Sequence, residues 1–174
     1  GNDSGRLLQP GDVRGWTWGT PLVDGDRIYA GAAGGKPYAF HHVASLTALD
    51  RATGQKVWEY VNGRRFQNDR GDGPRSTPTV DGDRVFTFSK RGVIHCLDAA
   101  KGTVIWSKNL MEELKVKMPT WGFASSVLIE GNLAIVNVGS AGAALDKTTG
   151  KVVWSSGADE AGYATAVPFE AGGQ

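Results

Sequence analysis

The chain has 174 residues, of which 25 are glycine and six are tryptophan, with 19 Lys+Arg against 18 Asp+Glu. That length suffices for one domain with a sizeable core. The near-neutral balance, with no block of one sign, argues against a nucleic-acid or membrane-surface partner, and no apolar run approaches a membrane span. The single cysteine, Cys96, can form neither an internal disulfide nor a CxxC motif. No signal peptide is visible, but the sequence begins at Gly1, so the true N-terminus is expected elsewhere.

In chain order, the first regular feature is T-P-L-V-D-G-D-R-I-Y, Thr20 to Tyr29. Two β-branched runs flank Asp24-Gly25, which reads as strand, tight turn, strand, because Gly accepts the positive φ such turns need. The same arrangement returns at Thr77 to Phe86 around Asp81-Gly82, and at Ser125 to Val136 around Glu130-Gly131. An Asp-Gly-Asp triplet is too short for a calcium-binding EF-hand loop and lacks its closing Glu.

Each hairpin is followed by a second pattern. Ala48 to Trp58, Cys96 to Trp106 and Ala144 to Trp154 share the form small-x-Asp-x-x-x-Gly-x-x-x-Trp. The aspartates (50, 98, 146) and the tryptophans (58, 106, 154) both recur every 48 residues. The Asp-x-x-x-Gly turn supplies a side-chain acceptor and a flexible residue between a third and a fourth strand; in the second unit these are Val93 to Leu97 and a strand led by Thr103 to Trp106. Each unit is therefore expected to be a four-stranded antiparallel meander. A β-rich repeat of this period signals propeller blades.

The fold expected is all-β: a β-propeller of four-stranded antiparallel blades, incomplete, with about three and a half blades of a longer propeller. The expected blades run approximately 16–60, 75–108 and 122–156, with the start of a further blade at 162–170, where Tyr163 to Phe169 reads as an inner strand. Leu110 to Lys117 is expected to form a short helical turn in a linker. In the first unit Leu49 lies 21 positions after Ile28, whereas in the second Leu97 lies 12 positions after Val85. The insertion, ending in His41-His42, is expected to project as a loop, the usual place for function on a rigid scaffold.

The repeated Ala-x-Asp-x-x-x-Gly-x-x-x-Trp pattern resembles the tryptophan-docking motif of quinoprotein dehydrogenases and their non-enzymatic relatives. Ala48, Asp50, Gly54 and Trp58 match it, as do Ala144, Asp146, Gly150 and Trp154. Cys96, Asp98, Gly102 and Trp106 depart only in Cys for Ala. The resemblance implies that each Trp docks between neighbouring blades, a structural role that suits a large flat side chain. Gly71 to Phe86 and Pro119 to Phe123 are similar to the PQQ-binding-like β-propeller repeat proteins, and there is a more distant similarity to the propeller lipoprotein of the outer-membrane β-barrel assembly machine. The resemblance implies a periplasmic or secreted location.

Chemistry is harder to find. A quinoprotein alcohol dehydrogenase of the resembled family would bring a catalytic carboxylate, a Cys-Cys pair, pyrroloquinoline quinone (PQQ) and calcium; this chain has no Cys-Cys pair, and no catalytic, cofactor or metal residue can be assigned. His41 and His42 point opposite ways in extended backbone and chelate one metal poorly. His95 aligns with Thr47 and Ala143, an ordinary third-strand position. Gly31 to Gly35 and Gly139 to Gly142 lack the strand-before, helix-after context of a phosphate loop. The reading is a non-catalytic binding or scaffold module for protein or polysaccharide, joined to the remaining blades of the same propeller. The alternatives are part of a PQQ-dependent dehydrogenase, which alone would call for PQQ and calcium, or the sensor propeller of a signalling protein. The candidate ligand face holds Arg75, Trp121, Trp18 and Tyr163, with Trp16 and the first unit's insertion beside them. The plain alternative is that Trp121 packs the linker and Arg75 pairs with Asp72.

Overall fold

The computed structural model describes residues 20–34, 43–64 and 75–169. Twelve strands form three four-stranded antiparallel sheets, each in simple sequential order. The first sheet holds β1 (Leu22–Asp24), β2 (Arg27–Gly34), β3 (Val43–Asp50) and β4 (Lys56–Arg64). The second holds β5 (Thr79–Asp81), β6 (Arg84–Phe88), β7 (Val93–Asp98) and β8 (Val104–Asn109). The third holds β9 (Leu128–Glu130), β10 (Leu133–Val136), β11 (Ala143–Asp146) and β12 (Val152–Ser155).

The turns form where the residue types require them. Gly25, Gly82 and Gly131 take φ of +53°, +60° and +54° at the tips of the first hairpins. Nothing crowds a Cβ built at these sites, so the backbone conformation alone selects glycine. The Asp-x-x-x-Gly turn is held by its own side chain. Asp146 Oδ1 accepts from the Thr148 and Thr149 amides at 3.0 and 2.7 Å and from the Thr149 hydroxyl at 2.9 Å. Asp50 makes the same three contacts with Ala52 and Thr53, and Asp98 accepts from the Ala100 and Lys101 amides. The hydrogen bonds from Thr53 and Thr149 hold the Asp50 and Asp146 carboxyls below the ordinary aspartate range.

The core lies between successive sheets. Tyr29, Leu46, Ala48 and Trp58 of the first meet Val85 and Leu97 of the second. Phe86, Phe88, Ile94 and Cys96 of the second meet Val136 and Leu145 of the third. The middle sheet is covered on both faces, so β6 and β7 each bury four residues in a row instead of alternating. Sheets stacked face to face, each with its own short first strand and peripheral fourth strand, are the blades of a propeller.

Two features differ from the sequence expectation. The insertion in the first unit is in part a longer hairpin: Gly31 to Gly34 pair with Leu46 to Val43, extending β2 and β3. Small residues in an extended run continue the ladder where a loop was expected; residues 35–42, with His41 and His42, lie outside the described residues. Tyr163 to Phe169 form no regular strand. Between the second and third blades, α1 (Leu110–Glu113) is one short turn, capped by the Asn109 side chain accepting from the Glu112 amide and anchored by buried Leu110.

Candidate functional site

The expected docking residues fall at the junctions between blades. Trp58, on β4, donates its indole N–H to the Ala99 carbonyl at 2.9 Å, in the turn after β7. Trp106, on β8, donates to the Lys147 carbonyl at 3.0 Å, in the turn after β11. Each ring covers the turn glycine of the following blade. A Cβ on Gly102 would lie 2.6 Å from the Trp58 ring, and one on Gly150 would lie 2.7 Å from the Trp106 ring. Both glycines also hold φ near +70°, so two independent constraints exclude a side chain there. The small residue of the pattern faces its own tryptophan across the sheet: Ala48 opposite Trp58, Cys96 opposite Trp106, Ala144 opposite Trp154. All three small residues are fully buried.

Trp154 differs from the other two. Trp58 is 8% exposed, but Trp154 is 42% exposed, beside Val153 at 57%. The expectation of three buried tryptophans is therefore met at Trp58, only in part at Trp106, and not at Trp154. The physical reason is that no described turn follows the third blade to cover the ring.

A second set of contacts joins the blades at their inner strands, and sequence reading missed it. The Thr20 amide donates to the Thr77 hydroxyl at 3.2 Å, the Thr77 amide to the Ser126 hydroxyl at 2.9 Å, and the Ser126 amide to the Thr165 hydroxyl at 2.8 Å. Each donor lies at or just before the first strand of its blade, and each acceptor occupies the same place one blade later. The Ser76 hydroxyl, fully enclosed between blades, donates at hydrogen-bond distance to the Phe88 and Ser125 carbonyls. The signal was present in the sequence as a Ser or Thr just ahead of every hairpin.

The candidate ligand face is the side on which each inner strand begins and on which the β6–β7 and β10–β11 connections lie. Here Trp121 and Tyr163 form an aromatic pair, with ring centroids 5.3 Å apart and planes 32° apart. The Tyr163 hydroxyl accepts from the Trp121 amide at 3.4 Å. Both side chains are about one-third exposed, at 36% and 37%. Beside them Lys90, in the β6–β7 turn, is buried, and its carbonyl accepts from the Phe123 amide. Burial, aided by the nearby positive charge of Arg75, lowers the Lys90 ammonium to about 8. The structure thus brings Trp121 and Tyr163 together, and places Arg75, with its Nε and Nη2 buried, near Lys90, which the sequence did not single out. Trp16, Trp18 and Asp72 lie outside the described residues.

The remaining chemically versatile groups are committed to packing. His95 is buried against Tyr60, with ring centroids 5.3 Å apart, and its Nδ1 has no hydrogen-bond partner; burial lowers it to about 4. Burial pushes the Cys96 thiol up to about 11, which keeps it protonated and unreactive. Calcium takes six to eight oxygen ligands; among the described residues, no three His, Cys, Asp or Glu side chains gather to hold a metal. No helix among the described residues is long and apolar enough to cross a membrane.

Stacked four-stranded blades tied by indole-to-carbonyl and amide-to-hydroxyl contacts define a propeller of PQQ-like repeats. The family described as outer membrane protein assembly factor BamB matches residues 42–170, and the chain belongs to that family. No curated protein matches the chain. Among solved structures, BamB from Moraxella catarrhalis is 21% identical with a TM-score of 0.56, over 79% of this chain and 36% of that one. Quinohemoprotein alcohol dehydrogenase from Comamonas testosteroni is 23% identical with a TM-score of 0.59, over 78% and 20%. The computationally designed Ika4 protein is 12% identical with a TM-score of 0.58, over 95% and 88%. These likenesses are of fold alone. The chain spans about a third of that BamB and a fifth of that dehydrogenase.

Proposed function

We propose that this chain is a non-catalytic, extracytoplasmic part of a longer propeller, periplasmic or secreted, that binds or scaffolds a protein or polysaccharide. In it Trp58, Trp106 and Trp154 act as docking residues between blades. The partner meets Arg75, Trp121 and Tyr163, and Trp18 is a further candidate contact. The observation that carries the reading is the Trp121–Tyr163 pair, each side chain about one-third exposed. Flat aromatic surfaces take sugar rings or apolar peptide side chains, and a guanidinium fixes a carboxylate or carbonyl beside them. Catalysis has no comparable support: the one cysteine and the histidine of the second blade are sealed into blade junctions.

The test is binding to an oligosaccharide array and a peptide array, measured for the wild type, Trp121→Ala and Arg75→Ala. Both variants should lose binding; Trp121→Ala should melt within about 2 °C of the wild type, as expected of a surface change, and circular dichroism must show Arg75→Ala folded, because part of its guanidinium is buried. Absence of binding on both arrays, or normal binding by both variants, defeats the reading. A parallel dye-reduction assay with added PQQ and calcium should match a heat-inactivated control; turnover above it favours a dehydrogenase instead.

A further inference from the structure

The two junctions in this chain are built at equivalent positions from different residues. At the second, Phe88 and Ile94 of the second blade meet Val136 and Ala143 of the third in one apolar cluster. At the first, the strand registers put Gly31 in the place of Phe88 and Tyr60 in the place of Lys108. On the opposing blade, Thr87 takes the place of Val136 and His95 that of Ala143. The first junction therefore lacks a phenyl ring and a valine at this level and holds a phenol, a hydroxyl and an imidazole.

His95 stands in the middle of this polar stretch. It is 6% exposed, its ring meets that of Tyr60 edge-on at 5.3 Å, and its Nδ1 has no hydrogen-bond partner. Beside it in the ladder are Thr87 on β6 and Ser107 on β8, and β3 brings Leu46 and Ala48 to the junction. Among the described residues Tyr60 is the titratable group facing it, and burial raises that phenol and keeps it neutral. The charged residues of the surrounding strands are engaged elsewhere. Arg27 of β2 pairs with Asp26 and Asp50, and Lys56 of β4 pairs with Glu59. Arg84 of β6 pairs with Asp83, and Lys108 of β8 with Glu113.

We propose that the first junction is an acid-sensitive seam: when His95 takes up a proton, the first blade parts from the second, while the second and third stay docked. An imidazolium carries an N–H at both ring nitrogens, and the one at Nδ1 has no acceptor while the seam is closed. A charge enclosed without a partner is costlier than a neutral polar atom so placed, and opening hydrates it. Burial alone lowers His95 to about 4 in the closed seam, from 6.5 where water reaches it. The open form therefore binds the proton first. The seam keeps its full stability above about pH 6.5 and loses it as the pH falls toward about 4. Between about pH 7.5 and about pH 5 the opening equilibrium should rise about 30-fold. The second junction has no such response, because Ala143 carries no proton-binding group. This inference is independent of the ligand face, and array binding does not bear on it.

Thiol labelling reads the two junctions separately, because Cys96 faces the second and Ala48, at the same place in the pattern, faces the first. The full-length polypeptide is labelled in its native form and with Ala48→Cys in a Cys96→Ala background, which exchanges the small residues of the two blades. A pyridyl disulfide that reacts in acid is the probe, peptide mass spectrometry reads each site, and each rate is divided by that of the urea-unfolded chain at the same pH. From about pH 7.5 to about pH 5 the relative rate of the thiol introduced by Ala48→Cys should rise about 30-fold. At about pH 5 it should exceed that of Cys96 by about tenfold or more, as for an opening smaller than global unfolding. His95→Gln should remove the rise, as should His95→Ala, which installs the third blade's residue. No rise, equal relative rates at the two positions, or a rise that persists in either folded His95 variant overturns the inference.

Discussion

Truncating Trp106 to Ala tests most directly how the blades are held together. The side chain is partly buried, its ring 6.0 Å from that of Phe86 and its indole N–H 3.0 Å from the Lys147 carbonyl. Removing a buried Trp costs about 3–5 kcal/mol, and partial exposure places Trp106 near the lower end. About 1 kcal/mol of that is the hydrogen bond. Trp58, at 8% exposure, should cost about 4 kcal/mol. Trp154, whose ring is 42% exposed, should cost less than about 1.5 kcal/mol in the same chain, because less area leaves water on folding. Gly150→Ala adds a second axis. Its left-handed backbone costs about 1–2 kcal/mol with a side chain, and the new Cβ, 2.7 Å from the Trp106 ring, must displace it. In a Trp106→Ala background only the backbone strain remains, so the double-mutant cycle should show about 1–2 kcal/mol of coupling. Urea denaturation followed by circular dichroism measures all five variants and the wild type. Equal losses for Trp106 and Trp154, or additivity of Trp106→Ala and Gly150→Ala within about 0.3 kcal/mol, would refute the proposed junction.

Three further outcomes follow from the same contacts. Native Cys96, buried and with its thiol pushed up to about 11, should resist iodoacetamide until the chain is denatured; stoichiometric labelling of the folded protein contradicts this. The His95 imidazole is lowered to about 4 from 6.5, so the unfolded chain binds its proton first and stability drains away as pH falls from about 6.5 to about 4, by at most about 3 kcal/mol; His95→Gln should flatten that window in pH-dependent urea melts, and an unchanged profile rejects the assignment. Asp50 and Asp146, held below the ordinary carboxylate range, contribute stability that is present above about pH 4 and lost below it, so Asp146→Asn should reduce the acid sensitivity that remains under pH 4 in the same melts, and undiminished sensitivity there contradicts the turn's charge-assisted bonds.

The repeat made the blades legible. Asp-Gly turns and the small-x-Asp-x-x-x-Gly-x-x-x-Trp pattern encode backbone geometry that few other residues satisfy, so strand order could be read from spacing alone. The fate of individual tryptophans was less legible. Trp58 and Trp154 sit in the same pattern, yet one is enclosed and the other is open, because burial of this side chain is decided by the following blade and not by its own. The first unit's long connection was read as a loop because Gly and Ala carry little strand signal; Gly31 to Gly34 pair through their backbones regardless. Lys90 was passed over for a similar reason. A lysine in a polar turn looks solvated, and only the segment leading into β9, where the Phe123 amide donates to the Lys90 carbonyl, reveals that it is packed against a neighbour.

The two junctions also explain why the motif leaves the residue after its aspartate free. Trp58 and Trp106 address backbone carbonyls, those of Ala99 and Lys147, and the inner contacts likewise join a backbone amide to a hydroxyl that either Ser or Thr supplies. Such contacts hold any blade to any next blade. Identity enters through side chains at the same point. Lys147 pairs with Asp81 across the second junction, whereas Ala99 leaves the first without that pair; Arg27 pairs with Asp26 and Asp50 of its own blade, while its counterpart Arg84 pairs with Asp83 of its own blade and also donates to the Lys147 carbonyl across the junction. In water an exposed pair adds little stability, but a like charge at the same point is disfavoured. Backbone-directed contacts therefore supply the cohesion, and the residue after the turn aspartate is where blades of one propeller can be made to accept one neighbour over another.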